Sequence, residues 1–230
     1  MTTRLAIIGT GKMGQLLTAL APQHDCTVVA HLGRSDTVAG ISREALKGAE
    51  VVVEFTAPRE AAALVRSCAE LGVPVVSGTT GWDAERPSVE EFVRQSRGAL
   101  LWAPNFALGV QLFARIVGDA VRKFKAQGGF DARMVETHHT SKLDAPSGTA
   151  RMLASVAKAA SGHLLPIESV RTGEVVGTHE VIFTAPFETV RLVHEATDRR
   201  VFASGAIAAA RWLKGRRGVH SLDEVLGDAR

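Results

Sequence analysis

The stretch Gly9-Thr10-Gly11-Lys12-Met13-Gly14 constrains the fold of this chain more than any other, because of what stands on either side of it. Arg4 to Ile8 before it is a short apolar run, and Met13, Leu16, Leu17 and Leu20 recur at helical spacing. A strand, a tight turn and a helix in that order open a doubly wound α/β sheet. In the G-x-G-x-x-G pattern the first glycine permits the turn, the second lets the backbone approach a pyrophosphate, and the third brings helix and strand close. The helix N-terminus then faces the phosphates. An ordinary glycine-bearing turn is the plainer reading of the same letters; their place between strand and helix favours dinucleotide binding. The candidate cofactor residues of the loop are Gly9, Thr10, Gly11, Lys12, Met13 and Gly14, although a solvated Lys12 and a core Met13 are the commoner outcomes.

The rhythm continues along the chain. Strands are predicted near 27–30, 51–55, 73–77 and 99–102, with helices over 59–71 and 89–97 among them. Apolar strands alternating with helices imply a parallel sheet covered on both faces, hence a Rossmann-type α/β domain. After Pro104 the pattern changes to a long amphipathic helix over 108–124, a strand over 130–138 and a helix over 147–160. Two segments, 174–184 and 189–196, then carry Thr, Val, Ile and Phe in the spacing of antiparallel strands. These elements predict a second, α+β domain with a mixed or antiparallel sheet. A last helix over 203–214 is placed back on the first domain, which gives domains of 1–106 plus 206–230 and of 107–205.

Composition excludes several functions. With 46% hydrophobic residues among 230, the chain can bury a real core. No window reaches the roughly 18 apolar residues of a membrane span and no leader pattern opens the chain, so a cytoplasmic protein is expected. Cys26 and Cys68 lack a CxxC spacing and read as buried thiols, not as a disulfide or a sulfur-bound metal. A net charge of +3 suits phosphates and dicarboxylates but is thin for nucleic acid. The densest basic group, Arg211, Lys214, Arg216 and Arg217, reads as a solvated helix end. Tyrosine is absent, so a Tyr-x-x-x-Lys proton donor cannot be built.

The end of the second strand normally supplies a carboxylate for the adenosine ribose. Here His31, Leu32, Gly33 and Arg34 stand instead, and Arg34 is suited to a 2′-phosphate. NADPH is therefore expected ahead of NADH, with Asp36 as the residue that opposes it and a plain surface arginine as the competing reading.

The segment Glu136-Thr137-His138-His139-Thr140-Ser141-Lys142-Leu143-Asp144-Ala145-Pro146-Ser147-Gly148-Thr149-Ala150 concentrates titratable groups between an apolar strand and an apolar helix. Strand alternation points His138 and His139 to opposite faces, so the two have different roles. Lys142 is expected to lower a nearby histidine's proton affinity and so suit it to proton donation. Ser147 is placed as an N-cap, which leaves the amides of Gly148, Thr149 and Ala150 for a carboxylate. A satisfied structural histidine and a simple serine cap are the plainer readings of single residues; jointly the cluster favours an anionic substrate. No metal is expected, because adjacent strand histidines diverge and Asp144 does not complete a ligand face.

The run E-x-H-H-x-x-K-x-D-A-P-S-G-T-A resembles the signature of the dihydrodipicolinate reductase family. The glycine loop, Glu54-Phe55-Thr56, Gly78-Thr79-Thr80-Gly81, Ala103-Pro104-Asn105-Phe106, and Arg199 with Phe202, Ala203 and Gly205 stand in the family's order. The resemblance implies NAD(P)H-dependent reduction of a cyclic dicarboxylate, 4-hydroxy-tetrahydrodipicolinate, to tetrahydrodipicolinate in lysine and diaminopimelate synthesis. It implies His138 as proton donor, Lys142 as its assisting cation, and His139, Ser147, Gly148, Thr149 and Arg199 as substrate contacts. Phe55, Gly78, Thr79, Thr80, Ala103, Asn105 and Phe106 would join the cofactor set. The second domain would bind substrate and join a homotetramer. Gly33 departs from the acidic residue usual at the ribose, and the chain is short for the family. A non-catalytic NAD(P) sensor and another two-domain amino-acid dehydrogenase are the alternatives.

Overall fold

A computed structural model describes residues 2–37 and 40–227. The chain divides into two compact units, 1–106 with 200–230, and 107–199. The return to the first unit falls at Arg200, earlier than the expected 206. The reason is that one helix runs unbroken from Arg200 to Leu213 and buries Ala203, Gly205 and Ala206. A Cβ on Gly205 would stand 1.7 Å from the Phe106 carbonyl oxygen, so this turn of helix lies directly on the backbone of the first unit.

In the first unit the strands are β1 (Thr3–Ile8), β2 (Cys26–Leu32), β3 (Val51–Glu54), β4 (Val75–Ser77), β5 (Ala99–Trp102) and a late strand, β10 (Gly218–His220). They form one sheet in the order β10-β5-β4-β3-β1-β2, and every pairing is parallel. The helices are α1 (Lys12–Leu20), α2 (Arg34–Thr37), α3 (Pro58–Glu70), α4 (Arg86–Gln95), α7 (Arg200–Leu213) and α8 (Leu222–Val225). Helices α1 and α7 pack together, as do α3 and α4, and the two pairs cover the sheet. That is why β1, β3 and β4 are apolar at successive positions: Leu5, Ala6, Ile7 and Ile8 are all buried. Proline at the start of α3 fits a position whose amide has no helical partner. Because β2 lies on one side of β1 and β3 on the other, the carboxyl ends of β1 and β3 form the switch point where open parallel sheets bind ligands. Cys26 and Cys68 are free and buried, and burial pushes the Cys68 thiol up to about 12.

The second unit holds a sheet in the order β7-β6-β8-β9, from β6 (Asp131–His138), β7 (Ile167–Arg171), β8 (Gly177–Ala185) and β9 (Glu188–Ala196). Strand β7 runs parallel to β6 and the other pairings are antiparallel, so the sheet is mixed, as expected. Two helices, α5 (Leu108–Gln127) and α6 (Gly148–Ser161), pack on one face. Their apolar stripes meet there, with Phe113, Val117 and Leu153 against Met134, Val181 and Phe183. Alternate residues of β9 face outward, the pattern of a sheet covered on one side only. Strands β7 and β10 were not foreseen, and the segment predicted from 174 begins pairing at Gly177. Among the described residues no helix is long and apolar enough to cross a membrane.

Candidate active site

The glycine loop sits at the switch point of the first unit. Gly9 has a φ of 116°, and a Cβ there would stand 2.1 Å from the Phe55 carbonyl oxygen. A Cβ on Gly14 would stand 1.8 Å from the Gly9 carbonyl oxygen. Gly11 differs, since nothing lies within 4 Å of the point its Cβ would occupy. The outer glycines therefore serve the protein's own packing, and the middle one leaves space for a ligand. Helix α1 begins with no side-chain cap and no acidic residue in its first turn, so its leading amides suit a pyrophosphate.

A cavity of about 200 Å³ opens there, lined by Gly9, Thr10, Gly11, Gly33, Arg34, Phe55, Thr56 and Glu60 among others. Lys12 is exposed, Met13 is half-buried and Gly14 is buried, and none of the three lines this cavity. Arg34 lines it, but its Nε lies 3.2 Å from Glu60 Oε1, a carboxylate that the strand-end pattern did not reveal. Asp36 accepts instead from the Gly33 amide at 2.7 Å. The larger cavity of this unit, about 960 Å³, lies at the amino ends of β4 and β5 and the carboxyl end of α7. Its Lys214, Arg216 and Arg217 stand where cations complement a helix C-terminus, away from the switch point.

Below the cavity, Glu54 ends β3 with a fully buried carboxylate. It accepts from the hydroxyls of Ser77, Thr79 (2.7 Å) and Thr56 (2.8 Å). Burial pushes its pKa up against these bonds. The Thr79 hydroxyl also accepts from the Thr56 amide at 2.7 Å, so Glu54 ties the loops after β3 and β4 together. The ring of Phe55 lies against Gly78, where a Cβ would come within 2.0 Å of it, and Phe106 meets Phe55 edge-on at 6.0 Å. Thr79, Ala103 and Phe106 are thus buried fabric of the unit, whereas Thr80 is exposed and Asn105 half-buried.

In the second unit, alternation along β6 buries Met134, Glu136 and His138 on the helix-covered side. His139, one residue on, turns outward: its Nδ1 lies 2.7 Å from Ser141 Oγ and its Nε2 3.0 Å from Arg199 Nη2. A guanidinium only donates, so His139 accepts on Nε2 and carries its proton on Nδ1. Glu136 is the hub. Its Oε1 accepts from Arg171 Nη2 at 2.8 Å and from the Ser147 amide at 3.2 Å, and its Oε2 lies 2.7 Å from His138 Nδ1. Burial pushes the Glu136 carboxyl up, but the bonds from Arg171, Ser169 and Ser147 and the charge of His138 outweigh it and hold the pKa at about 2. For His138, burial is the leading cause of a lowered pKa; Glu136 opposes it, and Lys142 and Arg171 add to it. Lys142 lowers it as expected, with burial the larger cause, and its Nζ is paired with Asp144 Oδ1 at 2.7 Å.

Ser147 caps α6 as expected, accepting from the Ala150 amide at 3.1 Å. The expectation of three amides left for a carboxylate is thereby corrected, since that of Ala150 is spent on the cap. Ser147 Oγ also lies 3.2 Å from His179 Nε2, and burial holds the pKa of His179 down to about 4, keeping it neutral. Glu136, His138 and His179 bring ligand-type atoms within 4.8 Å of one another. Arg171 on the same carboxylate and Lys142 near His138 make that cluster a poor cation site. Arg171 and His179 escaped sequence reasoning. For His179 a signal existed, since it shares strand parity with the buried Val181 and Phe183; for Arg171 there was none, because β7 itself was not predicted.

A glycine-loop parallel sheet in one unit and a His-Lys-Ser cluster on a mixed sheet in the other define a nicotinamide-dependent oxidoreductase. The family description "Dihydrodipicolinate reductase, N-terminus" matches residues 3–106, and "Dihydrodipicolinate reductase, C-terminus" matches 109–226. The chain belongs to the dihydrodipicolinate reductase family, as the motif resemblance implied. It is 35% identical to the 4-hydroxy-tetrahydrodipicolinate reductase of Thiobacillus denitrificans, with 99% of each chain covered. It is 40% identical to that of Stenotrophomonas maltophilia, covering 93% of this chain and 92% of the relative. The fold is similar to that of the dipicolinate-bound dihydrodipicolinate reductase from Paenisporosarcina sp. TG-14, with a TM-score of 0.78 at 24% identity, covering 96% and 98% of the two chains.

Proposed function

We propose that this chain reduces 4-hydroxy-tetrahydrodipicolinate to tetrahydrodipicolinate in lysine and diaminopimelate synthesis, with His138 as proton donor. The observation that carries this reading is the intact His138, Lys142 and Ser147 constellation in a chain matched by the family over both units. NAD(P)H, when bound, supplies the hydride. Gly9, Thr10 and Gly11 and the start of α1 would hold its pyrophosphate, and Arg34 the adenosine side, with Phe55 and the loops carrying Gly78, Thr79, Thr80, Ala103, Asn105 and Phe106 toward the nicotinamide. Arg34 favours NADPH, and Glu60 beside it tempers the preference.

On the substrate side, the amides of Gly148 and Thr149 at the start of α6 suit a carboxylate. Arg199, exposed and lightly held through His139, supplies a fork for the second carboxylate. Lys142 sets a positive charge where the substrate's negative charge gathers. His138, nearly buried and lowered toward the neutral form, releases a proton readily near neutral pH. The protein is proposed to act in the cytoplasm as a homotetramer assembled through the outer face of the β6–β9 sheet, where Val193 is exposed.

The test is kinetic. His138→Gln and Lys142→Ala are each expected to lose about a hundredfold in kcat, while NAD(P)H affinity stays within about twofold, since both residues lie in the other unit. Near-normal turnover in both variants would overturn the assignment.

A further inference from the structure

The chemistry proposed for His138 leaves its neighbours Glu136 and Arg171 without a stated task, although both are fixed more tightly than His138 itself. Glu136 is 0% exposed, and Arg171 donates to its Oε1 at 2.8 Å and to the Asp144 carbonyl oxygen at 2.6 Å. The same guanidinium also donates to the Val170 carbonyl oxygen at 2.8 Å. One arginine thus joins β7, the loop before α6 and the carboxylate. With the Ser147 amide on Oε1 as well, the carboxylate has a single orientation, and its remaining oxygen is 2.7 Å from His138 Nδ1.

The two ring nitrogens of His138 are not equivalent. Nδ1 is sealed from solvent, and Glu136 Oε2 is the neighbour it has there. Both atoms are buried and neither makes a hydrogen bond among the described residues, so this 2.7 Å contact is an ion-pair approach whose alignment is left to tighten when substrate arrives. Nε2 lies on the side of Gly177, and a Cβ at that position would stand 3.0 Å from it. Glycine there keeps that side of the ring clear.

We propose that Glu136, held by Arg171, is a positioning residue that keeps a proton on His138 Nδ1 and so presents Nε2 as the atom that delivers the proton to substrate. This rests on the reading of His138 as proton donor. The balance is simple: doubly protonated His138 gives up the Nε2 proton while the substrate gains that proton and a hydride. The ring is left neutral with its Nδ1 proton toward Glu136, and Nε2 is reprotonated from solvent. Glu136 stays ionised throughout, because Arg171 and the Ser147 amide stabilise its charge.

The groups facing His138 set the expected pH dependence. On its own strand stands Glu136; beyond the strand end, Lys142; on β7, Arg171; on β8, the neutral His179 with its ring centre 5.2 Å away. His194 of β9 acts on His179 in turn. Glu136 is the one of these that raises His138's proton affinity; the two cations lower it. In Glu136→Gln that support is gone, and the active, protonated form is lost at lower pH. The alkaline fall of kcat is expected to move down by about one pH unit, so that kcat on the alkaline side drops about tenfold more than on the acid plateau. A residue that only held β6 to α6 would lower kcat equally at every pH.

A second measurement does not depend on Glu136→Gln folding. In ¹⁵N-histidine NMR of the wild-type protein, with His138 assigned by its absence in His138→Gln, the neutral ring is expected to carry its proton on Nδ1. An unmoved alkaline limb in Glu136→Gln, or an Nε2–H ring in the wild type, overturns the positioning role. If His138→Gln keeps normal turnover, the proton-donor reading itself has failed. If it is inactive and the tautomer is wrong, only the role of Glu136 has.

Discussion

Arg171→Met removes the guanidinium from a carboxylate that stays buried, and its cost can be worked from the contacts. Glu136 is held at about 2 against the ordinary 4.5. At about 1.4 kcal/mol for each factor of ten in proton affinity, its partners, net of the opposing cost of burial, contribute about 3 kcal/mol to the folded state near neutral pH. Because the folded pKa is depressed, this contribution is present above 4.5 and is lost as pH falls through about 2. Stranding the buried charge costs about 3 kcal/mol or more, which at this chain length lowers Tm by about 6–12 °C. Thermal unfolding at pH 7 measures it. The deficit is expected to narrow toward pH 3, where the stranded carboxyl takes up a proton. Adding Glu136→Gln to Arg171→Met removes the lone charge and is expected to recover at least half the loss. A single variant as stable as wild type, or a double variant weaker than the single, would refute the reasoning.

The glycine loop offers a sharper contrast within one motif. Gly11→Val, placed in open space, is expected to leave Tm nearly unchanged while weakening NAD(P)H binding at least about tenfold in a fluorescence titration. Gly9→Ala and Gly14→Ala, which drive a Cβ into backbone, are expected to lower Tm. Arg34→Ala is expected to raise Kd for NADPH about tenfold and leave that for NADH within about twofold; equal effects on both cofactors would remove Arg34 from the 2′-phosphate.

How far the sequence reached depended on whether the determining physics was local. The glycine loop, the buried runs of β1 and β3 and the Ser147 cap are set within a few residues, and each was legible. The mixed sheet was legible in character, though β7 was not, because its short polar-flanked run gains its strand state only by pairing with β6. The Glu136 hub depends on Arg171 reaching across that pairing, so its partner could not be read before β7 was placed. Likewise Glu60 comes to Arg34 from a different helix, a contact no spacing encodes. For Lys142, sequence proximity showed its lowering charge, while burial of His138, the larger influence, is a property of the folded sheet.

The most direct test of the function is to supply the purified chain with freshly generated 4-hydroxy-tetrahydrodipicolinate and follow oxidation of NADPH and of NADH in parallel. The expected result is turnover with both and a higher kcat/KM for NADPH. Cofactor binding without oxidation of either would contradict the reductase and leave a protein that senses the dinucleotide instead.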